Sequence, residues 1–331
     1  MINPKAKLAK DIFKRSIEQV PTRNGYGEGL VVAGEKDENV MVLCADLTES
    51  TRSQLFKEKF PERFVEVGVA EQLLATLASG MANYGKIPFI SSYAVFSPGR
   101  NWEQIRTTIA LNNVPVKIAG AHAGLTVGPD GATHQMLEDI TLMRAMPNMV
   151  VIAPCDALEA KKAVVEAAKN GKPTYLRFAR EKTPVFTTEV SPFKIGRAEI
   201  FWEAKDPKVA IIGCGPLIYE ALLAAKILAK SKINSIVINC HTVKPIDEQV
   251  IIRAAKLTGA IVTVEEHQVT GGLGGAVAEV LSRNFPTPQE FVGMPDHFGE
   301  SGTPSELLEK YGMKAKDIVA AAKRVIKRKS E

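Results

Sequence analysis

Cysteine is scarce in this sequence and never clustered. The four thiols, Cys44, Cys155, Cys214 and Cys240, lie in or beside apolar runs, with no CxxC pair and no histidine at metal-ligand spacing. That pattern excludes a disulfide-stapled scaffold and a zinc site, and predicts buried, reduced thiols of a cytoplasmic protein. Aromatics are also few, at 6%. None is interleaved in the basic run 323–329, which therefore reads as a solvated helix end and excludes a nucleic-acid stripe. No apolar run is long enough to cross a bilayer, and the charged N-terminus is no signal peptide. Two glycine clusters lack a complete phosphate-binding signature. Gly213 and Gly215 are followed by Ile218 where a third fingerprint glycine would stand, and residues 270–275 are not followed by Lys-Ser/Thr.

What is present describes a two-domain α/β chain. Its 331 residues are 45% hydrophobic and 24% charged, with a net charge of +5, enough for two cores without staples. Residues 5–20 alternate charge and apolar groups at helical spacing and predict an amphipathic helix. A loop and a short helical or strand segment follow. Runs 39–46, 64–69, 87–91, 114–119, 150–154 and 173–178 read as strands, with a helix over 157–169. Periodicity fades over 181–208, as in a linker or peripheral hairpin. A second α/β unit then sets strands at 209–213, 235–240 and 260–264, with a helix over 275–282.

Polar candidates gather where the apolar runs end, the edge at which open parallel sheets bind ligands. Asp46, Thr48 and Ser50 close the first run, although Ser50 or Asp46 could equally cap a helix starting near Gln54. Glu71 opens a helix that is apolar almost all round, which predicts a buried carboxyl with a raised pKa; simple stabilisation by a helix N-terminus is the alternative. Tyr93 and Phe96 follow the third run and read as core or as a ligand platform. Arg23 reads as a surface ion pair or an anion ligand. The stretch 119–135 combines six small residues with His122, Asp130 and His134, and reads as a contact loop rather than core.

Together, these pieces resemble the C-terminal half of transketolase over essentially the whole chain. The match runs in the family's order: Thr22-Arg23, ADLTES at 45–50, GVAEQ at 68–72, Tyr93 and Phe96, His122, DGATHQ at 130–135, and Phe178-Ala179-Arg180. The resemblance implies a pyrimidine-binding domain over 1–190, with a parallel sheet flanked by helices, and a smaller α/β C-terminal domain over 191–331. It implies thiamine diphosphate, with Glu71 on the aminopyrimidine, where a protonated carboxyl favours the imino form that removes the thiazolium C2 proton. Tyr93, Phe96 and Asp46 join it as cofactor residues. His122 and His134 would bond substrate oxygens and relay protons, Asp130 would read a sugar hydroxyl, and Arg23, Ser50 and Arg180 would clamp a distal phosphate.

The family's GDG motif with its downstream Asn, which holds Mg²⁺ (or Ca²⁺) and the diphosphate, is missing; Gly128-Pro129-Asp130-Gly131 has the wrong spacing. The chain is therefore expected to be a complete subunit of a split transketolase. An N-terminal partner would carry the metal, in a dimer of heterodimers acting on sugar phosphates in the pentose phosphate pathway. Three rivals stand beside that reading. The β subunit of a 2-oxo acid dehydrogenase's decarboxylating component has no use for Arg23, Asp130 and Arg180. A 1-deoxyxylulose-5-phosphate synthase carries its own metal domain, and a non-catalytic binding subunit has no need of Glu71 and both histidines.

Overall fold

The computed structural model describes residues 1–329. Two sheets organise it. The first has seven strands, in the order Thr242–Lys244, Val150–Ile152, Thr174–Arg177, Lys117–Ala121, Ile87–Tyr93, Val40–Cys44 and Phe64–Glu66. All neighbours are parallel except Thr242–Lys244, which runs antiparallel to Val150–Ile152. The second has five strands, Gln289–Met294, Ile261–Gln268, Val209–Gly213, Ser235–Asn239 and Glu199–Trp202, the last antiparallel.

The strand sequences explain the layering. Runs such as VMVLC and VAIIG carry no polar side chain, because parallel strands are covered on both faces. Alternate residues of the first sheet enter different cores. Val42, Phe89 and Leu176 meet Tyr26, Leu30 and Val164 of helices Thr22–Lys36 and Ala157–Lys169. Leu43, Ile90 and Ile118 meet Leu74 and Ala78 of helix Glu71–Asn83, with Ile105 and Ile109 of the π-helix Ile105–Ala110. This second core continues into the five-stranded unit through Ile212, Ile238 and Leu273.

Several sequence expectations need correction. Residues 5–20 form no amphipathic helix. After a 3-10 turn, Pro4–Ala6, the chain turns through positive φ at Lys7 and Asp11 and enters strand Gln19–Pro21, paired with Lys182–Pro184. Its apolar residues are used singly: Ala6 and Ile12 are buried with Phe201, Trp202 and Leu217. The helix begins instead at Thr22, in a stretch whose glycines disguise it. A Cβ on Gly25 would lie 1.9 Å from the Ala157 carbonyl oxygen, so glycine sets the contact between the two helices. Helix Glu71–Asn83 is covered on one side only, and Leu73 remains 51% exposed. The 181–208 segment supplies the Glu199–Trp202 edge strand, and strands Thr242–Lys244 and Gln289–Met294 add to those expected from the apolar runs. The basic C-terminal helix, Ala315–Arg328, is tied down as well as solvated, with Arg324 and Arg328 paired to Glu290 at 3.0 and 2.7 Å.

All four cysteines are free and buried, and among the described residues no helix is long and apolar enough to cross a membrane.

Candidate active site

The parallel strands of the first sheet end on one edge, which places 45–50, Glu71, Tyr93, His122 and Arg180 along it. His122 follows strand Lys117–Ala121 with φ 53, a left-handed conformation uncommon for residues other than glycine. Its ring stacks on Tyr93 at 4.0 Å, and its Nε2 lies 2.9 Å from an Arg23 guanidinium nitrogen. The same nitrogen donates to the backbone carbonyl of Ser50 at 2.7 Å, which brings two of the three expected phosphate-clamp residues together.

A guanidinium can only donate. His122 Nε2 must therefore accept, and the imidazole proton sits on Nδ1. That Nδ1 is buried without a partner, as is Nε of Arg23. Burial and then the charges of Arg23 and Arg180 push the His122 pKa down to about 3. The ring is consequently neutral near pH 7, with one unsatisfied donor.

His134 reaches the same cluster. It presents its edge to Phe96 at 5.7 Å and 78°, lies 6.3 Å from Tyr93, and shares a 2.9 Å hydrogen bond with Thr133 through Nδ1. Tyr93 and Phe96 are themselves stacked at 6.0 Å. Arg180 stands across the loop. It donates to the Val127 carbonyl at 3.0 Å and pairs with Asp130 at 3.2 Å and Glu181 at 3.7 Å. Asp130 is thus engaged by the arginine it was expected to accompany.

Glu71 is 4% exposed, and among the described residues its carboxyl has no hydrogen-bond or ionic partner. Among the described residues no hydrogen bond or ion pair joins it to the His122 cluster, and Asn101 Nδ2 donates to the Glu71 carbonyl at 2.8 Å. Asp46 is exposed with φ 57 and likewise stands apart. Its amide donates to Glu66 Oε1 at 2.7 Å, while Glu66 also accepts from Gly68 N at 3.1 Å and Thr48 Oγ1 at 2.8 Å. Glu66 therefore ties the 45–50 loop to the approach to Glu71. Sequence reasoning missed both Glu66 and Asn101; the signal for Glu66 was a carboxylate ending a strand two residues before Gly68.

The 119–135 stretch is less open than its composition suggested. Residues 119–128 are buried, and exposure is confined to Pro129, Asp130 and Thr133, with Ala132 and His134 half-buried. A Cβ on Gly120 would lie 2.1 Å from Tyr175 Oη, and one on Gly124 2.4 Å from Glu266 Oε1. That Glu266 oxygen accepts from Thr126 N at 2.6 Å and Thr126 Oγ1 at 2.7 Å. Gly120 thus makes room for Tyr175 of the neighbouring strand, and Gly124 lets the loop pack on the second unit. The 270–275 turn finds an explanation too. Glu265 accepts from Leu273 N at 2.7 Å and Gly274 N at 2.8 Å, so the helix start that a phosphate would occupy is filled by the protein's own carboxylate.

Comparison with known proteins gives two family matches, the transketolase pyrimidine-binding domain over residues 18–185 and the transketolase C-terminal domain over 196–318. A putative transketolase C-terminal section from Methanocaldococcus jannaschii is 44% identical over 92% of this chain and 95% of its own length. A 6-deoxy-6-sulfo-D-fructose transketolase subunit from a Clostridium species is 38% identical over 96% and 98%. A solved structure described as a split gene transketolase, inactive beta4 tetramer, superposes with TM-score 0.87 at 44% identity, covering 94% of this chain and 99% of the other. The chain belongs to the transketolase family and carries that family's pyrimidine-binding and C-terminal domains.

Proposed function

We propose that this chain is the C-terminal subunit of a two-chain transketolase that moves a two-carbon ketol unit from a ketose phosphate to an aldose phosphate. Residues 1–190 would grip the pyrimidine end of thiamine diphosphate and the substrate, with 191–331 as the supporting domain. An N-terminal subunit would hold the diphosphate and its Mg²⁺ or Ca²⁺. The observation that carries the reading is a wall of buried donors without acceptors, Arg23 Nε and His122 Nδ1, in the cluster that Arg180 also charges. Such donors cost free energy unless an anion or a hydroxyl meets them.

The residues fit the cofactor's pyrimidine. A buried carboxyl without a partner at Glu71 suits a ring nitrogen, and Tyr93 and Phe96 offer aromatic faces. When bound, thiamine diphosphate would supply a thiazolium carbon acid whose conjugate base is the nucleophile for a ketose carbonyl. Glu71 would hydrogen-bond a ring nitrogen of the pyrimidine. Arg23 and Arg180 fix the far phosphate through charge-assisted bonds. His122 donates through Nδ1 to a substrate oxygen, and His134, half-buried beside Tyr93 and Phe96, joins it in moving protons.

A second reading concerns the distal group. Arg180 is already neutralised in part by Asp130 and Glu181, which suits a monoanion better than a phosphate dianion. A relative is described as acting on a sulfo sugar. The test is to assay the assembled complex with xylulose 5-phosphate and ribose 5-phosphate, and with 6-deoxy-6-sulfofructose as donor. Transfer with a lower KM for phosphate donors supports the first reading, and the reverse order supports the second. Transfer with neither would overturn both.

A further inference from the structure

Asn101 stands where two parts of the cofactor site meet. It is fully buried, and its Nδ2 donates to the Glu71 carbonyl at 2.8 Å and to Ser97 Oγ at 3.2 Å. Ser97 belongs to the turn that carries the aromatics. In that turn Phe96 N and Ser97 N both donate to the Tyr93 carbonyl, at 2.9 and 2.8 Å, and Arg100 N donates to the Phe96 carbonyl at 2.9 Å. One side chain thus bolts the first residue of helix Glu71–Asn83 to a closed turn bearing Tyr93 and Phe96.

The amide orientation is fixed by chemistry, since a carbonyl can only accept and Nδ2 must face it. The consequence is that Oδ1 is buried with no donor. Stability alone does not favour this choice. The Glu71 carbonyl opens an α-helix and faces the amide four residues on, so it needs no second donor, while the orphaned Oδ1 is a liability. What the amide adds is position: it fixes the rotation and depth of the helix start from which the unpaired Glu71 carboxyl extends.

We infer that Asn101 is a positioning residue for the cofactor, holding the Glu71 carboxyl in register with the Tyr93–Phe96 face so that one pyrimidine ring meets both. This rests on the role proposed above for Glu71. Asn101 acts through the Glu71 main chain and not by touching substrate or cofactor.

A double-mutant cycle in the assembled two-chain complex tests it, using Asn101→Ala, Glu71→Ala and the pair. The readouts are the thiamine diphosphate Kd by calorimetry with Mg²⁺ and the exchange rate of the cofactor's C2 proton. In the parent background Asn101→Ala should weaken binding and slow exchange by about tenfold each, with the KM for sugar within about twofold. In the Glu71→Ala background the same change should alter neither readout by more than about twofold, because contacting groups that act through one another are not additive. Equal losses in both backgrounds, or no loss in the parent, would overturn the inference. If Glu71→Ala by itself changes nothing, the reading of Glu71 fails first, and visibly so. Should Asn101→Ala fail to fold, Asn101→Ser carries the same expectations, its hydroxyl being too short to span both oxygens.

Discussion

At the scale of single residues, the site is defined by groups left without partners. Arg23 Nε and His122 Nδ1 are buried without partners, and Glu71, 4% exposed, carries a carboxyl that no side chain or amide of the described residues pairs. Glu71→Ala should leave the circular dichroism spectrum unchanged and lower turnover of the complex by about a hundredfold or more. Turnover within about twofold of the parent would reduce Glu71 to a helix-end acid. Arg23→Ala and Arg180→Ala should each raise KM for phosphorylated donors by a factor corresponding to about 1.5 to 3 kcal/mol. KM for hydroxypyruvate, which has no distal phosphate, should stay near the parent value, and equal effects on both donors would make the arginines structural. His122 gives a pH prediction. Its pKa is about 3 in the fold against an ordinary 6.5, so it is neutral across pH 5 to 8. KM for a phosphorylated donor should then follow only the phosphate's own ionisation near about 6, with the same profile shape in His122→Gln. A titration lost in that variant would reject the neutral-donor assignment. Stability moves in the opposite sense to that of a salt-bridged histidine. Below 6.5 the unfolded chain takes up a proton that the fold refuses until about 3, so lowering the pH through that window favours unfolding. The buried His241, also pushed down to about 3, acts in the same direction.

At the scale of elements, glycine placement decides which helices approach each other. Gly25 sits where helix Thr22–Lys36 crosses helix Ala157–Lys169, and a methyl there would overlap the Ala157 carbonyl. Gly25→Ala should therefore lower the denaturation midpoint strongly, by an amount corresponding to about 1 to 3 kcal/mol or more. Gly80, in helix Glu71–Asn83, is the opposite case, since a Cβ there would meet nothing within 4 Å. Gly80→Ala should raise stability by about 0.5 to 1 kcal/mol, and urea melts of the two variants check both signs. The same residues show what the sequence could and could not reveal. Strands such as Val40–Cys44 and Val209–Gly213 were legible because a strand buried on both faces is apolar without interruption. Helix Thr22–Lys36 was hidden because its glycines serve packing; Gly25 and Gly29 meet helix Ala157–Lys169, a partner remote in the chain. The helical periodicity of residues 5–20 misled for the converse reason: Ala6 and Ile12 are captured individually by the second core before any helix can use them. Candidate residues at strand ends could be named in advance, and Glu66, a carboxylate ending a strand, had such a signal although it was missed. Asn101 and Glu266 had none, since each is defined by a contact remote in the chain, to Glu71 for Asn101 and to Thr126 for Glu266.

At the scale of the whole molecule, the edge that carries the site borders apolar surface with no cover from this chain. Val69, just before the Glu71 helix, is 73% exposed, and Leu73, in its first turn, is 51% exposed. Apolar groups gathered on that scale mark surfaces that associate. The sequence lacks the family's GDG-and-Asn metal site, and the diphosphate end of the cofactor draws much of its affinity from a metal held by oxygen ligands. The chain alone should consequently fold, self-associate and bind thiamine diphosphate weakly, with no ketol transfer from xylulose 5-phosphate to ribose 5-phosphate. Addition of an N-terminal subunit carrying the metal site should break up the self-associated form and restore transfer in proportion to the complex formed. Sedimentation velocity of the separate and mixed chains, run beside a coupled assay, measures both. Leu73→Lys should weaken self-association and complex formation together, because a charge would then face the surface that either partner covers. Full turnover or tight Mg²⁺-dependent cofactor binding by the isolated chain would instead mean that a complete site exists within these residues, and the division of the enzyme into two chains would have to be abandoned.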